Sequence, residues 1–286
     1  MLTAHPGKFS FVQQNDYLFQ QITGITVQQF KALFIQFNEI YEKEELKRLS
    51  RNTRKRTIGA GNKFKLCLED RLLMVLMYYR LYTTQIFSGK MIFDIDDSNV
   101  SRAFRKITPI LAKIFKIPER RITMTENEIM EIFIDGTEQP INRPKNRQVQ
   151  KKYYSGKKKR HTIKHQVICG KNKKIKAVSK AYPGRDHDKK VYDKTRLVKP
   201  RCVKGYGDSG YEGTDLTRPK KKPKGRKLTE EEKKINKEIS SKRVVVENAI
   251  CVMKRYRIIS DKYRNERGLH TMIFKNTAGL ANLRIA

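Results

Sequence analysis

The sequence has no apolar stretch able to cross a bilayer. Its longest unbroken run, residues 72–79, has eight members, against the roughly 20 that a spanning helix needs. Residues 1–20 lack the basic start and apolar middle of a secretory signal. Neither a membrane protein nor an exported one is expected, and the chain reads as soluble and intracellular. The four cysteines, Cys67, Cys169, Cys202 and Cys251, are scattered without a C-x-x-C pair, which excludes a zinc finger or a disulfide framework. No segment repeats at a fixed period. Acids are scarce: 29 Asp and Glu stand against 64 Lys and Arg, a net charge of +35 over 286 residues. A chain so charged repels itself and attracts polyanions, nucleic acid foremost.

With 38% hydrophobic residues there is enough apolar side chain for a core. Thr26 followed by Gln29 forms a capping-box pattern, and Phe30, Leu33, Phe34, Phe37, Ile40 and Tyr41 recur at helical spacing. After a basic connector over residues 47–65, a more apolar helix is expected over 68–82, and Thr83 or Thr84 can cap a short third one. Asp96, Asp97, Ser98 and Asn99 then offer N-caps to a helix that buries Val100, Phe104, Ile107, Leu111 and Ile114. Its other side carries Ser98, Asn99, Ser101, Arg102, Arg105 and Lys106, residue types that read base edges and clamp phosphates. A solvated polar face on a helical bundle is the plainer reading, but in a chain of this charge a helix-turn-helix is favoured. Pro109 is expected to kink or split the helix.

From residue 129 the pattern changes to strands, expected over 129–135, 161–169 and 175–182, with a helix over 187–198 between the third and a short strand leading to Asp208. Thr229 and Glu232 open a long last helix with a second capping box. Its apolar stripe is Ile235, Ile239, Val246, Ile250 and Met253, widened by Val245, Ala249 and Val252. On its open face Arg243, Glu247 and Lys254 project within about 40° of one another.

The stretch EIFIDGTEQPI brings a buried strand to Asp135, and CVKGYGDSGYEG brings another to Asp208. Taken singly, each has an ordinary reading: a turn after a strand, or an i, i−4 ion pair of Glu247 with Arg243 on a helix surface. Taken together, Asp135, Asp208 and Glu247 are three hard oxygen ligands in a chain built to hold nucleic acid, a set suited to magnesium or manganese. Two such ions about 3.5–4 Å apart activate the attacking oxygen and stabilise the leaving one in phosphoryl transfer.

The blocks FIDGTEQPINRP, YYSGKKKRHTIKHQVI, PGRDHDKKVYD, GDSGYEG and LTEEEKKINKEISSKRVVVENAICVMKRYRI occur in that order, with the three acids 73 and then 39 residues apart. In this the sequence resembles bacterial insertion-sequence transposases of the DDE type, in the group related to the PIF/Harbinger transposases. The likeness covers residues 66 to the C-terminus. It implies an α/β, RNase H-like catalytic domain (a mixed sheet flanked by helices) over residues 121–286, preceded by an all-α helix-turn-helix domain over residues 1–120. It also implies that Asp135, Asp208 and Glu247 are catalytic metal ligands for two Mg2+ or Mn2+ ions. His187, Asp188 and Lys254 are implied as active-site neighbours.

The expectation is thus a transposase that binds terminal inverted repeats, hydrolyses a phosphodiester at the element end and joins the freed 3′-hydroxyl to target DNA. Lys151, Lys152, Lys157, Lys158, Lys159, Arg160 and Lys164 would line the double-stranded DNA track. Synapsis of two ends implies a homodimer or higher assembly, with no membrane partner and a cytoplasmic, nucleoid-associated location. A catalytically inactive, transposase-derived DNA-binding protein is the alternative. An RNA-binding protein is disfavoured because no aromatic-rich RNA-binding motif is present.

Overall fold

The computed structural model describes residues 7–285 apart from 52, 54, 56, 58–62, 123–130 and 224. Contacts divide the chain into two compact units, Met1–Lys116 with Tyr256–Ile258, and Ile117–Arg255 with Ile259–Ala286.

The first unit is helical: α1 (Lys8–Val12), α2 (Asp16–Thr23), α3 (Val27–Leu49), α4 (Leu68–Leu81), a π-helical turn (Phe87–Phe93) and α5 (Asp97–Phe115). The Thr26 hydroxyl and Gln29 side chain form the expected capping box at the start of α3. Phe9 stacks on Phe30 at 4.7 Å, and Phe19 meets Phe30 edge-on at 5.4 Å. The buried Asp70 of α4 takes the backbone N–H groups of Lys8 and Phe9, which caps α1 with a charge and explains why a carboxylate sits inside. The Thr84 hydroxyl accepts from the N–H of Phe87, the first residue of the π-helical turn. Pro109 lies inside an unbroken α5 and does not split it. Buried residues on both sides of it, Phe104, Ile107, Ile110 and Leu111, hold the helix together despite the backbone bond that proline forgoes.

The second unit is built on a mixed sheet. Its elements are β1 (Glu131–Pro140), α6 (Arg147–Tyr153), β2 (Tyr154–Ser155), β3 (Arg160–Gly170), β4 (Ile175–Val178), β5 (Tyr182–Pro183), α7 (Asp188–Thr195), β6 (Lys204–Tyr206), α8 (Glu230–Lys254) and α10 (His270–Ile285), while the single turn α9 (Arg257–Ser260) divides between the units after Ile258. Central β1 runs antiparallel to β3, from Ile132↔Gly170 to Pro140↔Thr162, and parallel to β6. Along its other edge β3 pairs in turn with β2, β5 and β4. On one face Ile132, Ile134, Ile168 and Ala177 pack with Tyr211 and Leu216, with Tyr192 of α7 against them. Helix α8 covers β1 and β3, and α10 covers β4.

Two strand expectations need correction. Strand β1 does not stop at Asp135: β3 offers an antiparallel partner as far as Pro140, and that ladder outweighs the turn-forming character of Gly136. The expected start of this strand at Ile129 lies outside the described residues. The third strand is broken between Val178 and Tyr182, where the Ser179 hydroxyl takes the Gln166 N–H. In α8 the second capping box forms as expected, but Ile235, expected on the apolar stripe, is 56% exposed.

Candidate active site

The parallel pairing of β1 with β6 runs Glu131↔Lys204, Ile132↔Gly205, Phe133↔Tyr206 and then ends. Asp135 and Asp208 each stand two residues beyond that last pair, so the register that aligns the strands also aligns the acids. It is the end of β6, rather than the end of β1, that leaves Asp135 open at the sheet's rim. Phe133 stacks on Tyr206 at 5.3 Å beneath them. Asp208 is fixed as the N-cap of a 3-10 turn (Ser209–Tyr211), its Oδ1 accepting from the Gly210 N–H at 2.8 Å. Asp135 Oδ1 accepts from the Gly136 N–H, also at 2.8 Å.

Alternation along β1 puts Asp135 on the face of Phe133 and Thr137, the face that α8 covers. Burial of Val246, Ala249, Ile250 and Met253 fixes the rotation of α8 and turns Arg243 toward Asp135. Arg243 Nη2 lies 4.0 Å from Asp135 Oδ1 and 3.9 Å from Glu247 Oε1. One cation therefore stands between two of the expected ligands. Its Nε is buried without a hydrogen-bond partner among the described residues, whereas the Glu247 side chain is 55% exposed. Lys254, two turns further along the same face, is exposed; the protein around it still holds its ammonium below the usual lysine range by desolvation, with Lys158 adding to the effect and Asp135 and Glu138 opposing it.

Burial pushes the Asp135 carboxyl up to about 6. The Gly136 N–H and Arg243 oppose this, and the negative charges of Asp208 and Asp188 add to it. Burial and converging negative charge give the site a deficit of positive charge, the condition that a divalent cation relieves. The donors are all carboxylate oxygens, as magnesium or manganese requires. Among the described residues no three His, Cys, Asp or Glu side chains are already drawn together as a ready-made metal cluster. The residues fit such an ion provided that Arg243 yields its place and Glu247 turns inward.

The opposite face of β1 holds a second charged group that sequence reasoning had not resolved. There Asp188 Oδ1 sits so close to Gly136 that a Cβ would meet it at 2.5 Å. Lys164 Nζ bonds that oxygen at 3.0 Å and reaches Glu138 Oε1 at 3.4 Å. Thr162 donates to the other oxygen of Glu138. Lys164 was expected on a DNA track with the exposed lysines; instead it is buried and its charge is committed to two carboxylates. The cause is that both faces of β3 are covered, so that every residue from Thr162 to Gly170 is buried, and register places Lys164 opposite Glu138. Neighbouring His187 and Asp188 diverge: Asp188 turns to Lys164, while exposed His187 lines an open basic cavity with Lys151 and Arg185. Tyr211 was also missed. Its buried hydroxyl accepts from Gln166 Nε2 at 3.2 Å, and burial, with Asp188, Asp135 and Asp208 nearby, pushes the phenol well above its ordinary range. The only sequence signal for it was its place in GDSGY.

Elsewhere the expected polar residues are at the surface. Ser98, Asn99, Arg102 and Arg105 are exposed on α5, and Ser101 is half-buried. Lys151 and Lys152 end α6, while Lys157, Lys158, Lys159 and Arg160 form an exposed run into β3.

Residues 134–282 match the family profile described as DDE superfamily endonuclease, and residues 64–117 match helix-turn-helix of DDE superfamily endonuclease. The second match takes in α4, the π-helical turn and α5. The chain is 35% identical over 236 residues to the probable transposase for insertion sequence element IS702 of Microchaete diplosiphon, covering 79% of this chain and 84% of that one. It is 25% identical over 219 residues to the putative transposase for insertion sequence element IS112 of Streptomyces albus G, covering 74% and 79% respectively. No solved structure matches.

Proposed function

The chain belongs to the DDE superfamily endonucleases, among the bacterial insertion-sequence transposases, and from that premise we propose that it binds the terminal inverted repeats of its element and cuts and rejoins DNA at Asp135, Asp208 and Glu247. The observation that carries this is the strand register that sets Asp135 beside Asp208, with Arg243 and Glu247 on the helix above.

Two Mg2+ or Mn2+ ions held by the three acids would supply activation of the attacking oxygen and stabilisation of the leaving one. The protein's own groups do the rest. The backbone N–H of Gly136 and that of Gly210 fix the two aspartates. Lys254 brings a positive charge beside Asp135, suited to a DNA phosphate. Asp188, locked by Lys164, and His187, at the mouth of the basic cavity, are neighbours of the reacting groups. The run Lys157, Lys158, Lys159, Arg160 holds the backbone without regard to sequence, while Ser98, Asn99, Ser101, Arg102 and Arg105 on α5 read the repeat. Synapsis of two ends calls for a homodimer or higher assembly on double-stranded DNA. Among the described residues no helix is long and apolar enough to cross a membrane, and a nucleoid-associated location follows from the substrate.

The test is incubation of a duplex carrying the element's own ends with the protein, with magnesium and with chelator. The proposal expects cleavage at the ends in magnesium alone. Tight, end-specific binding without cleavage in either magnesium or manganese would make this copy an inactive, transposase-derived DNA-binding protein.

A further inference from the structure

The helical unit contains a cavity of about 610 Å³ beside α5, within the roughly 300–1,000 Å³ range of small-ligand sites. Its walls are aromatic and cationic together. Phe64 is 63% exposed and forms part of the cavity wall. The Arg71 guanidinium lies over its ring at 4.0 Å and donates to the Tyr41 hydroxyl at 2.9 Å. Lys106 lies 4.6 Å from the centre of the Tyr41 ring.

Charge separates these cations into two kinds. Lys106 is ion-paired with Glu45, and Lys65 with Asp94. Arg71 and Arg102 have no carboxylate partner among the described residues; Arg102 instead bonds the Asn99 amide oxygen at 3.0 Å. An anion with a flat apolar surface satisfies such a site on both counts. Asn99, Arg102 and Lys106 line the cavity and belong to the same helix face that is expected to meet DNA, so a duplex on α5 would pass its mouth.

We propose that this cavity receives one unpaired nucleotide of the bound DNA, its base stacked on Phe64 and its phosphate held by Arg71 and Arg102. Stacking on an aromatic ring takes any base, so the site would sense the unpaired state rather than a sequence. A nucleotide already out of the helix enters without the unstacking cost that a paired one carries. The inference rests on the DNA-binding reading above.

The experiment uses the full chain at one salt concentration and measures its affinity for three duplexes of one sequence. One is fully paired, one carries an extrahelical thymidine, and one carries an abasic sugar at that position. The thymidine bulge is expected to bind about tenfold tighter than the abasic bulge, with Phe64→Ala abolishing the difference and Phe64→Trp keeping it. Binding of the paired duplex should stay within about twofold in both variants, because an exposed ring outside the base-reading face adds little there. Equal affinity for the two bulges, a difference that survives Phe64→Ala, or an equal loss of paired-duplex binding in that variant overturns the inference. Failure to bind any of the three removes the DNA-binding reading as well, whereas equal binding of all three removes only the role of the cavity.

Discussion

Lys164 Nζ lies 3.0 Å from Asp188 Oδ1, with the lysine side chain only 7% exposed. Glu138 approaches the same ammonium from the neighbouring strand, so one buried cation balances two carboxylates. Removing it leaves the nearly buried Glu138 side chain and the half-buried Asp188 without their shared cation. Lys164→Ala should lower the unfolding free energy by roughly 3–5 kcal/mol, read from urea denaturation, while Lys158→Ala on the exposed run should cost almost nothing. Equal stability of the two variants would return Lys164 to the surface lysines.

A pH dependence follows from the histidine pair behind the sheet. His165 Nε2 and His270 Nδ1 are 2.8 Å apart in stacked, buried rings. Burial lowers His165 to about 4 from an ordinary 6.5, and holds His270 well below its usual range. The unfolded chain therefore binds more protons than the folded one between those values. The histidines' contribution to stability is present above pH 6.5 and is lost as the pH falls toward 4, about 3 kcal/mol of it from His165 alone, offset in part by Asp135, whose raised carboxyl takes up a proton in the folded chain below about 6. Denaturation followed between those limits should show that loss, and His165→Phe should flatten much of it. An unchanged slope in the variant would mean that the pair does not titrate in this way.

Binding to DNA ends should weaken steeply with salt, log affinity falling with log salt by about 0.9 per phosphate neutralised. Lys158→Ala should reduce that slope by about one and weaken all duplexes alike. Arg102→Ala should instead cost roughly 1–3 kcal/mol on the element end and much less on random duplex. Identical behaviour of the two variants on both duplexes would remove α5 as the reading helix.

Short-range chemistry made much of this architecture legible in the sequence. Both capping boxes form where Thr26 and Thr229 precede a glutamine or glutamate by three, because the two reciprocal bonds are local. Val100, Phe104, Ile107 and Leu111 of α5 are buried as its period predicts, while Ile114, expected with them, is half-buried and Thr108 and Ile110 are buried as well. What depended on distant partners was not legible. The extension of β1 past Asp135 needed β3 beside it, and the inward turn of Lys164 needed Glu138 and Asp188. The three acids could be named from their combination and their order along the chain, since each taken singly had an ordinary reading, whereas Tyr211 and Gln166 took their place only through packing. Arg243 was visible as a helix neighbour of Glu247, but its reach to Asp135 required the sheet beneath α8.

The central claim is that Glu247 completes a metal site rather than an ion pair with Arg243. Glu247→Gln keeps the side chain's shape and hydrogen-bonding capacity while removing the anionic oxygen that a hard cation requires. The decisive measurement is single-turnover cleavage of an end-containing duplex in magnesium by wild type and Glu247→Gln, with binding measured on the same preparations. Cleavage and strand transfer should fall together by roughly three orders of magnitude or more while end binding survives, and adding Asp135→Asn or Asp208→Asn should lower activity little further. Cleavage at the wild-type rate by Glu247→Gln would contradict the account, returning Glu247 to a surface ion pair with Arg243 and leaving the third ligand to another acid.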